Sequence, residues 1–474
     1  MIKQRHNGQL VSHGTFLTGM IIALALAFVL VSCEPEPDIV VVPDDLNAPG
    51  AIPAGTYTVY HYQQNVSGSH ENGDYTLITA DTDTDKVLDV VSSPASLANE
   101  YAGFTLKSMM VNGTVISLFY DRNTITYTFN TGSQGTFSDG TTSKSVSGLY
   151  GTTFTIPFGV SSGSHCFVRW ISVDGTETLD TDEFGSENVS WNAYYVSSGD
   201  TPANFVLVPA GTFMMGREGT TDAIPHSVTL TSSYYMCVHE VTAGEYFGEN
   251  CTLGETFDDN PDGTEADRAV YNLSWYDAIV YCNKRSSAEG LTPCYSINGE
   301  TDPSVWITAA GGSVPSVFNE SWNAVVCDWE ANGYRLPTEA EWERAARAGN
   351  DSVSSYVYSG TEDSSALSTY AWYSELGVSR VQPVRQKSPN AFGLYDMSGN
   401  VWELCWDWYA LYTGDSEINP KGSALTGQRI VRGGCYNQPA SSASVNDRIK
   451  EYPFRRGADG SGNHFGLRVV RNVQ

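Results

Sequence analysis

Thiols and imidazoles are the side chains here best suited to chemistry, and their spacing argues against most of it. Beyond Cys33, cysteines stand at 166, 237, 251, 282, 294, 327, 405 and 435. None belongs to a Cys-x-x-Cys pair or a His/Cys cluster, so zinc and thioredoxin-type chemistry have no support. An exported chain can oxidise such thiols, but no spacing fixes a connectivity. His226, His239 and His464 lack the neighbours that a serine or cysteine hydrolase needs. Asp81, Asp83 and Asp85 alternate like the start of a calcium loop. Lys86 stands where that loop needs glycine and Ser92 where it needs a bidentate glutamate, so a solvated acidic turn is expected instead.

The elements available to position a site are short and turn-rich. Over 474 residues, 12% aromatics, 45 glycines and only 17% charged residues describe a largely β, multi-domain chain. A net charge of -28 repels phosphate backbones and excludes nucleic acid as a partner. Tyr57 to Tyr62 and Ile125 to Phe129 alternate β-branched and aromatic residues between Gly, Asn and Ser clusters, which predicts strands. Two helices carry start signals. Ser274 with Asp277 approximates a capping box, and Ala278, Tyr281 and Cys282 give the following helix an apolar stripe before Gly290 and Pro293 end it. Thr338 with Glu341 is a fuller capping box, with Trp342, Ala345 and Ala346 on the buried face, and its glutamates read as first-turn helix charges.

Lys3 and Arg5 precede an apolar run from Ile21 to Val31, the length of a signal-peptide core and too short to span a bilayer. The run ends in Leu30-Val31-Ser32-Cys33, which resembles the lipobox of bacterial lipoproteins. The resemblance implies an exported protein held at an outer membrane or cell surface by acyl chains on Cys33. Residues 1–32 are then a signal peptide and 33–53 an acidic, Pro-rich tether.

The strings Val206 to Gly216, Arg335-Leu336-Pro337-Thr338-Glu339, Pro389 to Glu403, Arg432-Gly433-Gly434 and Gly466-Leu467-Arg468 resemble the sulfatase-modifying-factor family of formylglycine-generating enzymes. This resemblance covers residues 203–474 and implies an α+β fold of C-type-lectin-like form. It also implies one Ca²⁺ held by the carboxylates of Asp396 and Glu403 and the carbonyls of Gly399 and Val401, an oxygen set suited to a hard cation. Copper is not expected. The family's copper-dependent members use two cysteines, and the matching positions hold Gln438 and Ala443, so the soft thiolate pair for Cu(I) is missing. Cys435, in place of the usual serine, reads as a small core residue.

Residues 54–122 resemble mucin-binding-protein-like repeats and 123–197 the internalin-type B repeat, both small β-grasp modules that act as stalks or adhesive spacers. Between Tyr436 and Phe465 the sequence turns irregular and polar between two family-like anchors, resembling the variable proteins of diversity-generating retroelements. Tyr436, Asn437, Gln438, Tyr452, Phe454 and Arg455 are the expected ligand contacts, with rigid aromatics for area and small polar groups for adaptable hydrogen bonds. The expectation is a surface protein whose last domain, having lost oxidase chemistry, binds a protein or glycan on another surface. The alternatives are an oxidoreductase that converts a sulfatase cysteine to formylglycine, and a structural envelope lipoprotein.

Overall fold

The computed structural model describes residues 52–474 apart from 68–73, 89–93, 162–163, 250, 252–265, 352–356, 425–426 and 458–463. Cys33 and the tether therefore lie outside the described residues. Among those described, no helix is long and apolar enough to cross a membrane.

Two compact units emerge. The first holds the described residues up to 97 together with 107–119. The strand Gly55–Gln64 pairs antiparallel with Tyr75–Leu77 and Asp83–Leu88, and its alternation buries Tyr57 and Val59 as the sequence pattern predicts. Asp81 closes the single 3-10 turn Thr79–Asp81, as the expected acidic turn has it, while Asp83 and Asp85 sit on the strand Asp83–Leu88, where Lys86 pairs with Asp83 at 2.7 Å.

The second unit comprises 98–106 and 120–474. In it, His165–Ser172, Val189–Ser197, Thr124–Asn130 and Ser143–Leu149 form a four-stranded sheet in that order. Thr124–Asn130 buries every second residue, and Phe129, Phe137 and Phe167 surround Trp170.

Among the described residues the C-terminal part builds three larger sheets and one two-stranded pair, Tyr295–Ser296 with Val326–Cys327. Phe205–Val208, Tyr234–Cys237, Val470–Asn472 and Tyr334–Arg335 make one; Gly211–Met215, His226–Leu230 and Glu417–Ile418 make another. In the third, Arg429–Arg432 is flanked by Arg448–Glu451 and Trp402–Trp408, and the latter pairs onward with Phe465–Gly466. No spatial break separates 123–197 from this part. The Ser233 backbone N–H donates to Val168 O at 2.8 Å, its hydroxyl donates to Phe167 O at 2.9 Å, and Val168 belongs to the C-terminal core.

Both expected capping boxes form. Ser274 caps Trp275–Ala288 and Thr338 caps Glu339–Arg347, each with the reciprocal carboxylate bond. The second helix holds more than first-turn charges. Glu339 accepts from Arg448 at 2.7 and 2.8 Å, Glu341 from Arg335 at 2.6 and 2.7 Å, and Glu343 from Arg347 and Arg432, all buried. Removed from water, each carboxylate needs a cation, and the sequence supplies a guanidinium for each.

The eight described cysteines are free thiols, seven of them buried.

Candidate functional site

The site is assembled around the strand Arg429–Arg432, with a buried turn beside it and a surface segment after it. The turn at 396–403 needs left-handed backbone, with φ of 57° at Asp396, 83° at Gly399 and 60° at Asn400. At Gly399 a Cβ would stand 2.0 Å from Trp372 O, so glycine is required for both reasons. Asp396 Oδ2 accepts the Arg385 N–H at 2.8 Å, while Oδ1 is buried with no partner. Burial raises the Asp396 pKa to about 6, with the neighbouring Glu403 adding to the shift. Glu403 accepts from Trp342 Nε1 at 2.7 Å and from Arg468 at 2.7 and 3.1 Å. Gly399 N–H donates to Gly433 O at 2.8 Å, which ties the turn to the Arg-Gly-Gly step.

A third carboxylate completes this cluster. Fully buried Glu240 accepts from Asn400 Nδ2 at 2.6 Å and from Val401 N–H at 3.1 Å. Burial, then Asp396, then Glu403 push its pKa well up. Nothing in Val238-His239-Glu240-Val241-Thr242 marked it, because its partner Asn400 is 160 residues away. Of the three carboxylates, Glu403 bonds a guanidinium, that of Arg468, while Glu240 and Asp396 are held by amide N–H groups. Among the described residues no three Asp, Glu, His or Cys side chains converge to hold a metal, so an ion here has to draw on backbone oxygens as well. The surplus negative charge and the partnerless Asp396 oxygen suit a hard divalent cation. Glu403 joins such a cage only by sharing its oxygens with Arg468.

The surface segment divides in a way the sequence did not reveal. Asn437 is exposed and Gln438 half-buried. Tyr436 is buried, which corrects its assignment to the surface. It follows the two left-handed glycines 433 and 434 and turns into a cluster with Tyr271, Val384 and Val401, its ring 4.9 Å from that of His464. The segment also holds the strand Arg448–Glu451, paired to Arg429–Arg432 over four residues, where an irregular loop was expected. Tyr452 is exposed and stacks on half-buried Phe454 at 5.5 Å and 22°; Phe454 in turn packs on the core. Arg455 faces solvent.

At the positions matching the copper ligands, Ala443 is buried against Tyr358, Leu367 and Ala371, and the Gln438 carbonyl accepts the Ser374 N–H at 2.9 Å. Cys435 is buried, donates to Asn437 Oδ1 at 3.0 Å, and is held as a neutral thiol because burial lifts its pKa to about 11.

A family model described as the sulfatase-modifying factor enzyme 1-like domain matches residues 195–473. Chaperone protein LppX of Paenibacillus barcinonensis is 34% identical over 297 residues, covering 58% of this chain and 92% of that protein. The formylglycine-generating enzyme of Thermomonospora curvata is 33% identical over 185 residues, 32% of this chain and 54% of the enzyme, so the chain spans about half of that relative. Treponema denticola variable protein 1, a solved structure, superimposes with a TM-score of 0.50 at 33% identity, over 57% of this chain and 95% of its own.

Proposed function

Because the chain belongs to the family of sulfatase-modifying factor enzyme 1-like domains, we propose that residues 203–474 act as a non-catalytic ligand-binding module on an exported, lipid-anchored surface protein. The observation that carries this is the Tyr452–Phe454 stack beside solvent-facing Arg455, presented at the end of a strand whose own Arg448 is locked to Glu339. A rigid aromatic with an adjacent guanidinium is the composition of an interface hot spot. The positions of the copper ligands supply no thiol, and Cys435 is a protonated core residue, which supports binding over oxidation. The name of the 34%-identical relative, a chaperone protein, also fits binding another molecule.

The expected partner is a protein or glycan on another surface, with residues 54–122 and 123–197 as spacer modules and Cys33 as the lipid attachment point. Calcium at the turn is part of the proposal. Asp396, Gly399, Val401 and Glu403 would hold it, and its role there would be to neutralise the carboxylate cluster.

The test exchanges only Asn437, Gln438, Tyr452 and Arg455 for alanine in the full-length protein and measures attachment to host or neighbouring cells. Loss of attachment in a folded variant is expected. Retained attachment removes the role from this face. Aldehyde formation on a Cys-x-Pro-x-Arg peptide with copper and oxygen, dependent on Cys435, would restore the oxidoreductase alternative.

A further inference from the structure

A cavity of about 190 Å³ lies between the sheet that contains His165–Ser172 and the C-terminal part, within the second unit and away from the surface segment. It has room for roughly six waters at liquid density. Arg169 and Asp180 come from the first side and Trp329, Glu330 and Lys421 from the second.

The polar groups of its wall fall into two sets. Glu341, Asn419 and Asn472 are engaged, Glu341 with Arg335, Asn419 with Thr231 and Asn472 with the carbonyls of Trp329 and Ala331, while Arg335 spends both terminal nitrogens on Glu341 and Asn472 and its buried Nε has no acceptor. Among the described residues, the side chains of Asp180, Glu330 and Lys421 make no hydrogen bond or ion pair; Lys421 only rests over the Trp329 ring, 4.8 Å from its centroid. Arg169 spends one arm on Val473 O at 3.2 Å, and its buried Nε has no acceptor.

This set selects a ligand by chemistry. Arg169, Arg335 and Lys421 balance Asp180, Glu330 and Glu341, so neither an anion nor a cation gains from entering. Free donors and free acceptors side by side suit hydroxyl groups, each of which donates and accepts at once. Trp329, half-buried and backed edge-on by Trp406 at 5.6 Å, offers an indole surface once the flexible Lys421 stem swings aside. A small neutral molecule with a ring of hydroxyls and an apolar C–H face satisfies all of these groups.

We propose that this junction cavity binds a single pyranose ring, with Asp180 and Glu330 accepting from its hydroxyls and Lys421 and Arg169 donating to them. The site needs both halves of the unit, since Arg169 and Asp180 lie outside the residues of the C-terminal domain.

Saturation-transfer NMR on the full-length protein tests it, with millimolar methyl glucopyranoside, galactopyranoside, mannopyranoside and N-acetylglucosaminide as probes. At least one should bind. Asp180→Ala and Lys421→Ala, both at exposed positions, should each weaken that binding at least tenfold with unchanged melting temperature, while Tyr452→Ala leaves it intact. Silence from all four sugars overturns the proposal, as does binding that survives both substitutions. Binding of free serine with the sugars silent would assign the cavity to a zwitterion and overturn it equally.

Discussion

The turn at 396–403 and the segment at 437–456 flank the same strand, Arg429–Arg432, yet their charged groups end in opposite places. In the turn, Glu403 and its neighbours are shut away with Arg468 as their guanidinium. In the segment, Arg448 is shut in, as is Tyr436 just before it, while Asn437, Tyr452 and Arg455 are exposed. A stretch that looks uniformly irregular in sequence is therefore a scaffold interleaved with exposed positions. Tolerance to change is set residue by residue, by what each side chain meets.

The sharpest way to break the comparison is Arg468→Ala. It leaves buried Glu403 without the guanidinium it bonds and removes a positive charge beside Asp396, and should cost about 3–5 kcal/mol in urea unfolding. A loss below about 1 kcal/mol would mean that the cluster is already protonated or metal-bound.

Calcium comes next in size. If the ion sits at the turn, a concentration one hundred times Kd should stabilise the protein by about 2.7 kcal/mol, reversibly with chelator. Asp396→Ala should abolish that shift. A chelator-insensitive melting curve in the unmodified protein argues for a metal-free turn.

Gly399→Ala should cost about 1–3 kcal/mol from its left-handed backbone and more from the clash with Trp372 O, whereas Gly377→Ala, also left-handed but in open space, should cost the backbone part alone. Equal urea midpoints for the two variants would remove the turn's special status.

A pH test separates the buried side from the exposed one. Burial, with help from Glu339, raises Asp407 to about 8, so the folded state keeps a proton that the unfolded chain releases near pH 4. The stability from that proton is complete below pH 4 and declines by up to about 1.4 kcal/mol per unit until about pH 8. Asp407→Asn should flatten this slope in urea midpoints measured from pH 5 to 8, and an unchanged slope would locate the titration elsewhere.

Smallest of all, Tyr452→Ala and Arg455→Ala should shift stability by no more than about 0.5 kcal/mol. A larger loss would make them scaffold and close the distinction between the two stretches.

What the sequence made legible follows the same divide. The capping boxes at Ser274 and Thr338 were readable because both partners lie within one turn of helix. The alternation in Gly55–Gln64 and Thr124–Asn130 was readable because one face of each strand is buried. The family strings identified the C-terminal domain. The Glu403–Arg468 and Glu240–Asn400 contacts span 65 and 160 residues and leave no periodic trace. Tyr436 was misjudged for a related reason, since two left-handed glycines redirect the chain just before it and no local pattern records the direction.

The bonds around Ser233 bear on how the molecule carries force. Under the proposed N-terminal anchor and binding face, tension would enter the C-terminal domain at Phe205–Val208, an edge strand that could peel from Tyr234–Cys237 one rung at a time. Ser233, at the start of that inner strand, is clamped to Phe167 and Val168 and also receives the Ala210 N–H at 2.8 Å. The clamp bypasses the edge and passes the load straight to the inner strand. A pulling experiment should accordingly record one rupture for the whole second unit, and Ser233→Ala should lower its force.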